Sequence, residues 1–198
     1  MTDWHRRTLL KAAPALGLVA LAGKASAGLE QPNDPIQQTL ARVWPKMAGV
    51  PAIRVPARNA GPTPVIAYMF TNVNCLICQS VHREFPKGFR DLEMRYIIYP
   101  WPGEDLHVLN YMYRPETTEA DYNAYMGKRL PTRAADDSIT GAAKVMNLVN
   151  LLSKELIEGG GFGTPFFLYA SPGKTAGTVS FSAGDIATAG PMLDAHGV

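Results

Sequence analysis

The chain has 198 residues, of which 46% are hydrophobic, and its 19 Lys and Arg residues nearly balance 17 Asp and Glu residues. A formal net charge of +2 is too small to favour nucleic acid or an anionic membrane surface as a partner. The length suits one domain with a hydrophobic core.

The first 27 residues have the pattern of a secretory signal peptide. Arg6 and Arg7 lie in a charged segment, an apolar stretch covers 12–22, and small residues at 25–27 offer a cleavage site. The paired arginines also match a twin-arginine export signal, so both export routes stay open. The apolar stretch is shorter than the ~20 residues that span a bilayer. We therefore predict export without membrane insertion.

Cleavage after residue 27 changes the charge of the protein. It leaves 171 residues (198 minus 27), with 15 basic residues (19 minus 4) and 16 acidic residues (17 minus 1), a net charge of −1. The basic excess therefore belongs to the signal peptide, and we predict no nucleic-acid partner.

Residues 28–63 are predicted to form a leader, a linker helix and a linker. Asp34 can cap a helix that has Pro35 at its first position. Apolar residues follow helical spacing over 36–47, although Pro45 should end or kink this helix. Residues 50–64 are rich in Pro and Gly and predict a linker with one short strand at most.

Residues 64–198 are predicted to form the main domain. The apolar segment Val65 to Thr71 predicts a strand that is buried on both faces. A helix should follow over 79–89 with a kink at Pro86, and the next strand should cover 94–99.

A helical insertion is predicted at about 103–158. Thr117 or Thr118 can cap one helix, and Ser138 can cap another. The apolar side of the second helix would consist of Val145, Leu148, Val149, Leu152 and Leu156. Three glycines at 159–161 should end it. Strands at 166–170 and 178–181 and a final helix at 185–195 complete the prediction.

The two cysteines of the chain, Cys75 and Cys78, are three positions apart between a predicted strand and a predicted helix. A sulfur at a helix N-terminus is stabilised as a thiolate by free amides and the helix dipole. A static structural disulfide is one alternative, but so small a loop adds little stability. The spacing therefore favours reversible thiol–disulfide exchange.

His82 supports a second alternative, because it lies four residues after Cys78 on the same helix face. It can tune the thiols or join them at a metal ion. Zinc usually takes four Cys or His ligands, whereas copper(I) accepts two thiolates. A copper-handling protein with the same cysteines is thus the alternative hypothesis, and we predict no metal ligands.

The order strand, CxxC, helix, strand, helical region, strand, strand, helix predicts an α/β thioredoxin-like fold with a helical insertion between its two halves. Thr164 and Pro165 precede the strand at 166–170, where a proline is tolerated. A cis bond there would bring a tight loop against the sulfurs.

These motifs resemble those of periplasmic thiol:disulfide interchange proteins of the DsbG/DsbC type, over about residues 36–195. The matching segments are Tyr68-Met-Phe-Thr-Asn-Val-Asn-Cys-Leu-Ile-Cys78, His82 with Glu84, Tyr99-Pro-Trp-Pro-Gly103 and Gly163-Thr-Pro165. The resemblance implies a periplasmic protein thiol:disulfide oxidoreductase or isomerase. Its partners would be exported cysteine-containing proteins and a membrane redox partner.

The resemblance also implies roles for particular residues. Cys75 would be the exposed nucleophile, and Cys78 would be the more buried resolving thiol. Thr164 and Pro165 would bind an extended client segment, with Leu76 and Ile77 beside it. The redox group would be the cysteine pair itself, with no other cofactor.

The chain departs from the family pattern in two places. Leu76 and Ile77 supply no polar side chain, so we expect the pKa of Cys75 to be less depressed than in a Cys-Pro-His-Cys oxidase. Only 47 residues of the mature chain (28 to 74) precede Cys75. They leave no room for the family's dimerisation domain, and we predict a monomer.

Overall fold

The computed structural model describes residues 35–59, 61, 65–101, 103–104, 106–129, 140–157, 162–170, 179–183 and 189–197. Several sequence predictions lie outside these ranges: the signal peptide at 1–27, the caps at Asp34 and Ser138, and the glycines at 159–161. None of the described helices is long and apolar enough to cross a membrane.

The described part of the chain contains both helices and strands. In order, these are α1 (Pro35–Val43), a 3-10 helix (Trp44–Gly49), β1 (Ile53–Val55), β2 (Val65–Thr71), α2 (Leu76–Glu84), β3 (Leu92–Ile98), α3 (Leu106–Met112), α4 (Glu119–Met126), α5 (Thr140–Leu156), β4 (Phe166–Ala170), β5 (Val179–Ala183) and α6 (Gly190–His196).

The described strands form one five-stranded sheet in the order β1-β3-β2-β4-β5. β2 and β3 are parallel, and α2 makes the crossover between them, as a parallel pair requires. The other three pairings are antiparallel. With α3–α5 inserted between β3 and β4, this is the predicted thioredoxin-like fold.

β2 lies near the centre of the sheet because its residues are apolar on both faces. Met69 and Tyr68 point to opposite faces, and both are buried. Tyr68 contacts Trp44 edge-to-face with ring centroids 5.3 Å apart. On the other face, Tyr96 pairs with Met69 and stacks on Tyr122 of α4 at 4.1 Å. Helices therefore cover both sides of the sheet.

The segment predicted as leader and linker contributes to this core. α1 ends at Val43, and the chain continues as a 3-10 helix through Pro45, so the prediction of a break at this proline is confirmed. Leu40, Val43 and Met47 are buried. β1 pairs with β3, so the helix and strand of residues 28–63 pack with the main domain.

The predicted bounds of the helix after the cysteines were wrong at both ends. α2 begins at Leu76, because the sulfur of Cys75 accepts a hydrogen bond from its first turn. It ends at Glu84 rather than continuing to 89. Pro86 therefore lies beyond the helix and does not kink it. Its ring disfavours a helical backbone at Phe85, which has φ −118° and ψ 55°.

The insertion follows the predicted capping and periodicity. Thr118 caps α4 in a reciprocal arrangement with Asp121, whose carboxylate accepts from the Thr118 amide at 2.9 Å. The predicted apolar side of α5 is confirmed, since Val145, Leu148, Val149 and Leu152 are buried and the partly buried Leu156 packs against the core.

The remaining differences concern element ends. β3 begins at Leu92, two residues earlier than predicted, because Leu92 pairs with the first residue of β2. The final helix begins at Gly190, with Pro191 in its first turn. A proline is tolerated there, because backbone N–H groups in the first turn make no hydrogen bond within the helix. Gly190 and Pro191 therefore start this helix and do not interrupt it.

Gly141 allows α5 to approach Tyr113 closely. A Cβ at this position would lie 2.6 Å from the Cβ of Tyr113. We expect Gly141→Ala to lower the free energy of unfolding by about 1–3 kcal/mol in urea denaturation, because the core must shift to admit the methyl group.

Gly49→Ala is the matched control for this substitution. Apart from its chain neighbours and the adjoining helix backbone, no heavy atom of the described residues lies within 4 Å of a Cβ built at Gly49. The control should change the free energy of unfolding by less than about 0.5 kcal/mol. Equal effects of the two substitutions would contradict the close contact at Gly141.

Candidate active site

Cys75 is the N-cap of α2. The chain leaves β2 at Thr71 and turns through residues 72–74, and Cys75 has an extended backbone. Its Sγ accepts a hydrogen bond from the backbone amide of Cys78 at 3.2 Å. A sulfur thus takes the place that a serine or aspartate oxygen often fills. The predicted position of the first sulfur at a helix N-terminus is confirmed.

The register of the sheet brings a second segment to Cys75. β4 pairs with β2 so that Phe166 lies opposite Phe70, one residue before the end of β2. Thr164 and Pro165 therefore lie beside the turn that leads to Cys75. The peptide bond between them is cis, and the Thr164 carbonyl accepts from the Cys75 thiol at 3.2 Å.

Both cysteines are free thiols and both are buried, with Cys75 5% exposed and Cys78 0% exposed. The expectation of an exposed nucleophile is therefore wrong, because the backbone of Thr164 lies over the sulfur. The expectation that Cys78 is the more buried of the two is confirmed. Leu76 and Ile77 are 74% and 37% exposed, so an apolar surface adjoins the covered sulfur.

The surroundings of the two sulfurs move their pKa values in opposite directions. The pKa of Cys75 falls from 9.0 to about 6, mainly because the Cys78 thiol donates to its sulfur. Burial opposes this effect, while the backbone amides of Cys78 and Ile77 add to it. Burial, and then donation to Cys75, raises the pKa of Cys78. At neutral pH the site holds one thiolate and one thiol.

Of the two residues between the cysteines, Ile77 acts on the pKa of Cys75 through its backbone. The Ile77 amide helps to stabilise the Cys75 thiolate, whereas neither side chain has a polar group. The stabilisation therefore comes from the helix N-terminus and from Cys78.

His82 lies half-buried on α2, with its ring edge-to-face against Tyr122 at 5.4 Å. Burial, followed by the charge of Arg83, lowers the pKa of His82. These surroundings therefore favour the neutral form of the imidazole. Within the described ranges, no group of three or more His, Cys, Asp or Glu side chains is placed to hold a metal ion.

Sequence reasoning missed Glu104, whose carboxylate accepts hydrogen bonds from Asn72 and Tyr125 behind the turn at 72–74. Its one sequence signal is its position directly after the Tyr99–Gly103 segment. An isolated acidic residue in a loop is ordinarily solvated, so that signal alone does not indicate a site.

No protein-family model matches the chain, and no curated protein matches it. Several solved structures are similar in fold. The catalytic domain of Proteus mirabilis ScsC is 16% identical, with 80% of this chain and 97% of that chain covered and a TM-score of 0.47. The thiol-disulfide exchange protein alpha-DsbA2 from Wolbachia pipientis is 12% identical, with coverage of 80% and 94% and a TM-score of 0.43.

Another is a periplasmic thioredoxin-like protein from Salmonella enterica serovar Typhimurium. It is 15% identical, with 65% of this chain and 83% of that chain covered and a TM-score of 0.39. At these levels of identity and TM-score the assignment of the fold rests on the strand order and register of the chain itself.

The lowered pKa of Cys75 predicts the pH dependence of its alkylation. In the reduced protein, the rate of reaction with iodoacetamide should rise through pH 6 and level off by about pH 7, because the thiolate is the nucleophile. Mass spectrometry would locate the modification. A half-maximal rate at about pH 8.5, the value of a free cysteine, would contradict the proposed stabilisation of the thiolate.

The same pKa predicts how stability depends on pH. The folded pKa of Cys75 lies below its reference value of 9.0. Its contribution to stability is therefore complete above pH 9 and is lost as the pH falls through about 6. We expect the free energy of unfolding of the reduced protein, relative to Cys75→Ala, to rise between pH 6 and 9 by up to about 1.4 kcal/mol per unit of pH.

Urea denaturation at pH 5.5, 7 and 8.5 under reducing conditions would measure this difference. Cys75→Ala keeps the titrating groups that do not contact Cys75, so their contributions cancel. Burial, the larger cause of the raised Cys78 pKa, remains in the variant and keeps that thiol protonated. A constant difference across the three pH values would contradict a depressed pKa in the folded state.

Proposed function

We propose that the protein is a periplasmic thiol:disulfide oxidoreductase that exchanges disulfides with exported proteins through the Cys75–Cys78 pair. The observation that carries this proposal is the pairing of a Cys75 thiolate at the start of α2 with a buried Cys78 thiol one helical turn away. Cys75 is the nucleophilic thiolate, while Cys78 stays protonated until it attacks the mixed disulfide.

The reaction would take two balanced steps. The Cys75 thiolate attacks one sulfur of a client disulfide, forms a mixed disulfide and releases the other client sulfur as a thiolate. Cys78 then loses its proton and attacks the Cys75 sulfur. This step releases the client's second thiolate and leaves a Cys75–Cys78 disulfide, so the client gains two electrons. The reverse sequence oxidises a client.

No other redox cofactor enters these steps, because the two electrons reside in the cysteine pair itself. We propose that a membrane redox partner resets the pair after each cycle. The direction of that reset decides whether the protein serves as an oxidase, a reductase or an isomerase of the DsbG/DsbC type.

The client would bind across the segment that covers Cys75. Thr164 and Pro165 lie beside the sulfur, and Pro165 has no N–H to compete for a client's backbone acceptors. Leu76 and Ile77 present apolar side chains next to it. We therefore propose that clients dock as extended segments with apolar residues near the reacting cysteine.

The periplasmic assignment rests on the signal-peptide pattern of the first 27 residues and on the motif resemblance. An oxidising compartment also permits the disulfide form of the pair to persist.

Cys78→Ser tests the proposal by removing the thiol that resolves the mixed disulfide. We expect this variant to accumulate covalent complexes with exported proteins on non-reducing gels, because the first step proceeds and the second cannot. Cys75→Ser should accumulate none. The wild type should equilibrate with glutathione, with a potential between about −120 and −270 mV.

The proposal fails if Cys78→Ser captures no client and the wild type exchanges neither with glutathione nor with a model disulfide. Stoichiometric copper that is retained by the reduced protein and lost in Cys75→Ser would instead support the copper-handling hypothesis.

A further inference from the structure

Glu104 lies in the loop between β3 and α3, where its carboxylate accepts three hydrogen bonds. Oε2 accepts from the Trp101 amide at 2.8 Å and from Asn72 Nδ2 at 2.8 Å, and Oε1 accepts from the Tyr125 hydroxyl at 3.1 Å. The Glu104 amide in turn donates to the Trp101 carbonyl. An ionised carboxylate only accepts hydrogen bonds, so three converging donors match it well.

Asn72, one of the two side chains that donate to Glu104, organises the turn that leads to Cys75. Asn72 is fully buried, and its Nδ2 also donates to the Tyr99 carbonyl at 2.7 Å. Its Oδ1 accepts from the Asn74 amide at 2.7 Å, and its backbone carbonyl accepts from the Cys75 amide at 3.1 Å. Glu104 thus fixes the orientation of a side chain that binds the turn directly.

Tyr125, the other side chain that donates to Glu104, lies in α4 of the helical insertion. Its hydroxyl donates to Glu104 and accepts from the Val73 amide at 3.2 Å. Gln79 of α2 donates to the Val73 carbonyl at 2.6 Å, so the turn is also tied to the helix that Cys75 caps.

The amides of Val73 and Asn74 therefore bond to side chains that Glu104 orients, and the Cys75 amide bonds to the backbone carbonyl of Asn72 in the same turn. The position of the Cys75 sulfur depends on this turn. The sulfur lies 3.2 Å from the Cys78 amide, which stabilises the thiolate, and in its protonated form it donates to the Thr164 carbonyl at 3.2 Å.

We propose that Glu104 is a positioning residue that holds the 72–74 turn in the geometry where Cys75 is most reactive. Glu104 does not touch the sulfur; it acts through Asn72 and Tyr125. The use of this role in catalysis rests on the proposed function, in which the thiolate must meet a client disulfide in a defined orientation.

Glu104→Gln is the test, because it keeps the size of the side chain and removes one acceptor oxygen. We expect Cys75 alkylation by iodoacetamide at pH 7 to slow about tenfold, and the midpoint of its pH profile to rise, as the turn loses its alignment. Tyr125→Phe removes one donor and keeps the ring. It should slow alkylation about threefold, and it carries the test if Glu104→Gln does not fold.

The two substitutions together should slow alkylation by less than the product of their separate effects, because both act on one cluster. Two controls separate positioning from general instability. Glu155→Gln makes the same chemical change at an ion pair with Arg42. Val43→Ala removes buried methyl groups from α1. Both should alkylate at the wild-type rate and with the wild-type pH midpoint.

The proposal is overturned if folded Glu104→Gln, or folded Tyr125→Phe in its place, keeps the wild-type rate and pH midpoint. It is also overturned if Val43→Ala shifts them equally. Alkylation needs no disulfide exchange, so its result is independent of the proposed function. If the wild type exchanged no disulfide while Glu104→Gln still slowed alkylation, the function would fail and the positioning role would stand.

Discussion

The arrangement of the site depends on one hydrogen bond, from the Cys78 amide to the Cys75 sulfur. This bond satisfies an amide that the first turn of α2 would otherwise leave unpaired. It also stabilises negative charge on the sulfur, so the start of the helix and the reactivity of the nucleophile have the same cause. Cys78 follows one turn later, where the same helix places its thiol against Cys75 and buries it.

The sheet fixes the position of the turn that leads to Cys75. β2 is buried on both faces, so it holds the end of the strand in one place, and the turn to Cys75 starts from that point. The pairing of Phe166 with Phe70 then brings Thr164 to the sulfur across 89 positions of sequence. The covering segment and the nucleophile are therefore neighbours because of strand register.

The helical insertion does more than enlarge the core. α4 places Tyr122 on the sheet and Tyr125 beside the active-site turn, and the loop before α3 supplies Glu104. A carboxylate that is shared between this loop, the insertion and the turn links three segments that are distant in sequence. The cost of leaving buried donors unpaired favours one arrangement of all three.

The sequence by itself determined the local features: the buried strand at 65–71, the Thr118 cap, the apolar side of α5 and the position of Cys75 at a helix start. These depend on periodicity and on contacts within a few residues. It misplaced the effect of Pro86, because α2 already ends at Glu84 and the proline ring disfavours a helical backbone at Phe85. Only the tertiary structure decided that Cys75 is covered and that Glu104 reaches Asn72. Both follow from strand register and loop packing, which bring together residues that no local pattern relates.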